Sequence, residues 1–182
     1  MRFFAQLAAF AATAVTLASA NSVTFVNQDA TKRTIYFTGT APVDKVEIAG
    51  NAQMKVSMPI SWIGNAYSVS EGAENVPGML AEFTFQGWND LTWFDVSAIV
   101  KPADINGVKE IYPATEVEAT LKSKYSGCSV FPCPTVYYHP NDVQTVSTPE
   151  TDLICTLGNS NVLVSRDVGE GLVSRNYVLG KL

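Results

Sequence analysis

Leu80-Ala81-Glu82-Phe83-Thr84-Phe85 and Leu91-Thr92-Trp93-Phe94-Asp95-Val96 decide the fold class of this 182-residue chain. Both are short runs of aromatic and apolar residues interleaved with polar ones, which suits a strand with one buried face better than a helix. The same pattern extends outward in both directions. Ser22 to Asn27 and Arg33 to Thr38 alternate around a turn-like Gln28 to Lys32, which predicts a hairpin. Lys45 to Ile48, Met54 to Met58, Ile60 to Ile63 and Tyr67 to Ser70 follow, separated by Gly50-Asn51, Pro59 and Gly64-Asn65. Further strands are expected at Glu116 to Leu121, Leu153 to Leu157, Asn161 to Val164 and Ser174 to Leu179, with an irregular region around Pro132, Pro134, Pro140 and Pro149. No stretch of about 12 residues sustains a helical period, so an all-β sandwich or barrel is expected rather than a βαβ sheet.

Residues 1–20 read as a secretory signal peptide. Met1-Arg2 gives a positive start, Ala5 to Leu17 an apolar run, and Ala18-Ser19-Ala20 a small-residue cleavage pattern. The run is shorter than the roughly 20 residues that span a bilayer, so a secreted chain without membrane insertion is expected. Residues 21–182 then form a single expected domain. Without Arg2, 11 Lys and Arg face 17 Asp and Glu, a formal charge of −6. That sign disfavours nucleic acid and acidic membrane faces and suits neutral polysaccharide or protein partners. Cys128, Cys133 and Cys155 allow one internal bridge, and the odd thiol must be buried, modified or joined to a second chain. With His139 as the lone histidine and no paired metal-ligand spacing, neither a metal site nor a cofactor is expected.

Several motifs then occur in a fixed order. Thr24-Phe25-Val26-Asn27 comes first, then Leu80-Ala81-Glu82-Phe83, Asp95-Val96-Ser97, an apolar stretch ending at Pro113, and Cys133-Pro134-x-x-Tyr137 followed by Asp142, Thr145 and Cys155. In this order they resemble the thaumatin-like protein family over most of residues 22–157. The resemblance implies a thaumatin-like antiparallel β-sandwich. The chain lacks the cysteines and the length for the disulfide-rich second domain of plant members. It is closer to the small, cysteine-poor secreted members of filamentous fungi, the conidial CalA/CetA type. That likeness implies a monomeric, extracellular or wall-associated protein with a part in cell-wall remodelling during early conidial germination. It also implies that Cys155 pairs with Cys128 or with Cys133, either bridge contributing about 3 kcal/mol.

Plant relatives that bind or cleave β-1,3-glucan use an acidic cleft. Glu82 matches its glutamate and Asp95 its first aspartate, with the thirteen-residue spacing kept. The second aspartate position falls near Val100, where Asp104 is the nearest substitute; the third falls on Thr135, and the arginine has no counterpart. Hydrolysis of a glycosidic bond needs two carboxyl groups about 5 to 5.5 Å apart for retention or 6.5 to 9.5 Å for inversion. Glu82 and Asp95 are therefore candidate catalytic residues, candidate ligand-binding residues, or a solvated pair without chemistry. Trp88 and Asp90 are expected at the rim of the same site, since aromatic faces beside acids and amides suit sugar rings. Strand alternation should send one of Trp93 and Phe94 into the core and the other outward. His139 has no G-x-S-x-G partner and reads as a surface-loop residue. Three functions follow: a non-catalytic wall protein that binds β-glucan, a weak endo-β-1,3-glucanase using Glu82 and Asp95, and a surface ligand for protein partners such as host receptors.

Overall fold

The computed structural model describes residues 21–116 and 122–159. Eleven strands among these residues make two sheets that face each other across one apolar layer. The first sheet has the order β4 (Gln53–Met58), β1 (Asn21–Asn27), β11 (Asp152–Leu157), β8 (Val108–Pro113), β9 (Ser126–Gly127). In the second, β10 (Val146–Thr148), β7 (Thr92–Ser97), β6 (Leu80–Thr84), β5 (Ile63–Ser70), β2 (Arg33–Gly39) and β3 (Val46–Ile48) run edge to edge. Every strand pairing is antiparallel except β1 with β11. The expected all-β sandwich is thus what the chain forms. Short 3-10 turns occur at Trp88–Asp90 and Ala114–Glu116.

Period-two alternation builds the layer between the sheets. Val23 and Phe25 of β1, Leu153, Cys155 and Leu157 of β11 and Ile111 of β8 meet Ile35 of β2, Ala66 of β5, Ala81 and Phe83 of β6 and Phe94 and Val96 of β7. Each fully buried aromatic or aliphatic side chain contributes about 1.5–3 kcal/mol relative to exposure. Trp62 stacks on Phe83 at 4.9 Å between centroids and donates its indole N–H to the Ala41 carbonyl at 2.9 Å. Its ring lies against the paired Gly39 and Gly64, where a Cβ would stand 2.3 Å and 2.7 Å from the indole. Only glycine leaves the tryptophan that room.

The structure corrects four expectations. The segments Ser22 to Asn27 and Arg33 to Thr38 do not pair as a hairpin: β1 and β2 belong to opposite sheets. The chain crosses between them because Arg33, 2% exposed at its side chain, ties the crossing. Its guanidinium donates to Asn27 Oδ1 at 3.2 Å, Asp29 Oδ2 at 2.8 Å and Ser70 Oγ at 3.1 Å. Second, Gly64-Asn65 is not a break. One strand, β5, runs through it, and Ile60 to Trp62 is instead a turn in which Ser61 adopts φ 54° and Trp62 N–H donates to Pro59 O. Third, the strand expected from Glu116 begins in a 3-10 turn instead, while the stretch ending at Pro113, for which the sequence predicts no element, is a central strand, β8, held between β11 and β9.

The fourth correction concerns the cysteines. Cys128 bonds to Cys133, with Cα atoms 6.5 Å apart, and Cys155 is a free thiol. Cys155 sits on β11 between Phe25 and Ile111 in register, its side chain in the core. Burial pushes its thiol well above the ordinary range, so it behaves as a small apolar group. A bridge spanning five positions contributes about 2 kcal/mol, less than either longer closure. The expected strand at Glu116 to Leu121 begins inside the 3-10 turn, and its remaining residues lie outside those described. So do the signal segment 1–20 and the expected strands at Asn161 to Val164 and Ser174 to Leu179.

Candidate functional site

On β6, Ala81 and Phe83 point into the core, so Glu82 and Thr84 point outward; on β7, Phe94 and Val96 are inward and Trp93 and Asp95 outward. Glu82 and Asp95 are direct register partners, and Asn65 of β5 faces Glu82 on its other side. Asn65, Glu82 and Asp95 therefore form a polar row across three strands. Thr145, which precedes β10, extends the row beyond Asp95. These four side chains, with Ile63, Thr84 and Trp93, line a groove of about 310 Å3 on the outer face of the six-stranded sheet.

Asp95 is 9% exposed, and its carboxyl is pushed up to about 7. Burial is the first cause; the neighbouring charge of Glu82 acts in the same direction, and a bond from Thr145 opposes them. Thr145 Oγ1 donates to Asp95 Oδ2 at 3.1 Å and lies 2.6 Å from the Tyr137 hydroxyl. Among the described residues no donor reaches Asp95 Oδ1. Burial beside the Glu82 carboxylate favours the neutral, protonated form of Asp95. A polar atom as buried as Oδ1 otherwise costs about 1–3 kcal/mol without a partner.

The β6–β7 connection supplies the rim. Gln86, Asn89 and Asp90 have φ of 46°, 60° and 58°, left-handed values that side-chain-bearing residues seldom adopt. Gln86 holds the base of the loop, receiving from Asn21 Nδ2 and the Ser61 N–H, each at 2.9 Å. The loop presents Trp88, 73% exposed, beside Trp93 at 5.9 Å between centroids, and Trp93 Nε1 donates to the Trp88 carbonyl at 3.1 Å. Asp90 is exposed on the same turn.

Asp104 stands apart. It accepts from the backbone N–H groups of Met79, Asn106 and Gly107 at 2.8, 3.1 and 3.0 Å and does not line the groove. Its work is to close the loop before β8. Thr135 likewise spends its hydroxyl on the Gly127 carbonyl at 2.7 Å. The residues that the sequence left without a role are Asn65, Thr145 and Tyr137. Asn65 was hidden by its turn-like Gly-Asn setting. Tyr137, Asp142 and Thr145 belong to one motif: Asp142 accepts from the N–H groups of Tyr138 and His139 at 2.8 and 2.9 Å, and the turn so formed delivers Tyr137 and Thr145 to the edge of β7. His139 is exposed on that turn. Among the described residues, no three His, Cys, Asp or Glu side chains converge as a metal would need.

Fold and groove together define the class: an all-β, two-sheet sandwich whose unspent chemistry lies on the outer face of one sheet. No family model matches the chain. The antigenic protein SchS21 of Stachybotrys chartarum is 46% identical over 140 residues, 75% of this chain and 94% of that protein, and this chain belongs to its family. Among solved structures, the protein elicitor MoHrip2 from Magnaporthe oryzae matches with a TM-score of 0.57 at 12% identity, over 76% of this chain and 99% of that one. At that identity the likeness is one of fold.

Proposed function

We propose that this is a secreted, non-catalytic protein of the thaumatin-like kind that works at the fungal cell wall by holding β-glucan in the Glu82–Asp95 groove. The observation that carries the reading is the polar row itself. Asn65, Glu82 and Asp95 stand in register on an outer sheet face, beside Trp93 and below Trp88. Sugar hydroxyls find both acceptors and a donor there, and the indole faces offer a rigid apolar surface. Wall remodelling in early conidial germination is the role that the thaumatin-like resemblance implies for such a binder. The Cys128–Cys133 bridge fits an oxidising compartment, in keeping with export by residues 1–20.

A glucanase is the weaker reading. Asp95, the acid whose carboxyl is raised, is 9% exposed and bonded to Thr145, so one of the two groups that must flank a glycosidic bond is largely covered. A surface ligand for other proteins is the second reading. It is favoured by the names of the matched proteins, one antigenic and one an elicitor, and by the exposure of Trp88. Pull-down of pure protein on insoluble β-1,3-glucan, with the supernatant assayed for reducing sugar, separates the three. Retention without release supports the binder, and release that Glu82→Gln abolishes supports the hydrolase. Neither retention nor release, with saturable binding to a protein partner, supports the ligand.

A further inference from the structure

The outer face of the six-stranded sheet is ordered in rows that run across the strands. Ile63, Thr84 and Trp93 are in register in the first row, Asn65, Glu82 and Asp95 in the second, and Tyr36, Tyr67 and Leu80 in the third. Successive rows are two residues apart along each strand, so each step is about 6.7 Å and the outer rows stand about 13 Å apart. The first row ends in an indole with Trp88 against it. The third carries Tyr36 stacked on Tyr67, 5.5 Å between centroids and 17° between planes. Hydrogen-bonding groups thus lie between two aromatic rows.

The tyrosines are held in place. The Tyr67 hydroxyl donates to Asn75 Oδ1 at 3.1 Å, and Lys45 Nζ lies 5.8 Å from the Tyr36 ring. Neither side chain enters the core: Ile35 and Ala66, their chain neighbours, fill that side. Tyr36 also lines a second, smaller groove of about 230 Å3, so the surface stays concave beyond the acid pair. A short sugar resting on the first two rows would leave the tyrosine row uncovered.

We propose that the binding site continues from the acid pair onto Tyr67 and Tyr36, and that it takes an internal run of a neutral polysaccharide lying obliquely across the strands. The glycan passes from Trp93 on β7 over Glu82 and Asp95 to the tyrosines on β5 and β2, about 13 Å along the strands and about 10–14 Å across them, a path of roughly 16–20 Å that takes about four sugar units. This inference rests on the glucan reading given above and adds to it the ligand's length, its direction and a second aromatic station. Charged polysaccharides of acidic type are excluded by Glu82 and Asp95 in the middle of the path.

Titration calorimetry with linear β-1,3-gluco-oligosaccharides of two and of six units tests the proposal. The six-unit chain should bind at least about tenfold more tightly than the two-unit one, a difference of about 1.4 kcal/mol. Tyr67→Ala should erase that advantage and leave the two-unit affinity within about twofold, whereas Glu82→Gln should weaken both. Should Tyr67→Ala disturb the fold, ring NMR signals of Tyr36 and Tyr67 in the unaltered protein give the same answer. They should shift with six units and stay unmoved with two. Equal affinity for both lengths with unmoved tyrosines, while Glu82→Gln still weakens binding, would overturn the extended site and leave the groove reading standing. Binding of neither oligosaccharide, with no retention on insoluble glucan, would overturn both.

Discussion

Asp29, in the bend after β1, and Asp95, on β7, are both sheltered carboxyl groups, and they are opposite in kind. Burial works against the charge of Asp29, yet N–H groups of Thr31 and Asn159 and the Arg33 guanidinium hold its carboxyl below the usual range. Its side-chain contacts hold the crossing from β1 to β2 together through Thr31 and Arg33 and tie it to Asn159 beyond β11. Asp95 has a single side-chain donor, Thr145, and among the described residues its other oxygen has no partner. The first carboxylate is fully used by the fold. The second is left one proton short of donors on an outer face, which is where a ligand hydroxyl finds work.

That contrast breaks most visibly at Arg33. Arg33→Met leaves Asp29 without its buried counter-charge, which should cost about 3–5 kcal/mol and lower the melting temperature by about 10 °C in calorimetry. Glucan binding by the protein that remains folded should stay within about twofold, since nothing in the latch touches the groove. The converse substitution, Glu82→Gln, should weaken binding of insoluble glucan by about tenfold or more, the effect of losing a charged hydrogen-bonding partner. Its melting temperature should hold or rise, because the like-charge neighbour of Asp95 is gone.

Acidity sharpens the comparison further. The Asp95 carboxyl is raised to about 7 when folded, so between its ordinary range and that value the folded state binds more protons than the unfolded one. Its contribution to stability is full below about pH 4 and is lost as pH rises through about 7. Asp29, Asp142 and Asp152 are held low, and their contribution is lost as pH falls below their folded values. Stability should therefore peak in mildly acid solution. The melting temperature should fall by about 5 °C from pH 5 to pH 8, and Asp95→Asn should remove most of that slope. The smallest effect is expected at Trp88→Ala. Exposed and free of core contacts, Trp88 should change stability by less than about 0.5 kcal/mol and weaken glucan binding by a few-fold.

The strands that carry the site were legible because their alternation is strong. Ala81 and Phe83 against Glu82, and Phe94 and Val96 against Asp95, give both the period and the outward acids. Trp93 and Phe94 divide as alternation requires, with the phenyl ring inside. Alternation does not reveal which sheet a strand joins, however, and so the β1–β2 crossing read as a hairpin; Arg33, the residue that enforces it, looks from sequence like any strand charge. Asn65 and Thr145 reach the groove from seventeen and fifty residues away, through pairings that no local pattern encodes. Gly64 was read as punctuation when its lack of a side chain serves Trp62 instead. The cysteines misled because the resemblance placed Cys155 in a bridge, while its position on β11 turns it into the core.

The claim on which the account rests is that Asp95 keeps its proton beside Glu82, into near-neutral solution, on a face otherwise free to bind. A carbon-detected NMR titration of the Asp95 side-chain carboxyl in the ligand-free protein measures this directly. A midpoint close to 7 is the expected result. A midpoint near the ordinary aspartate value of about 4 would contradict it, and would make the pair a solvated surface feature rather than a site.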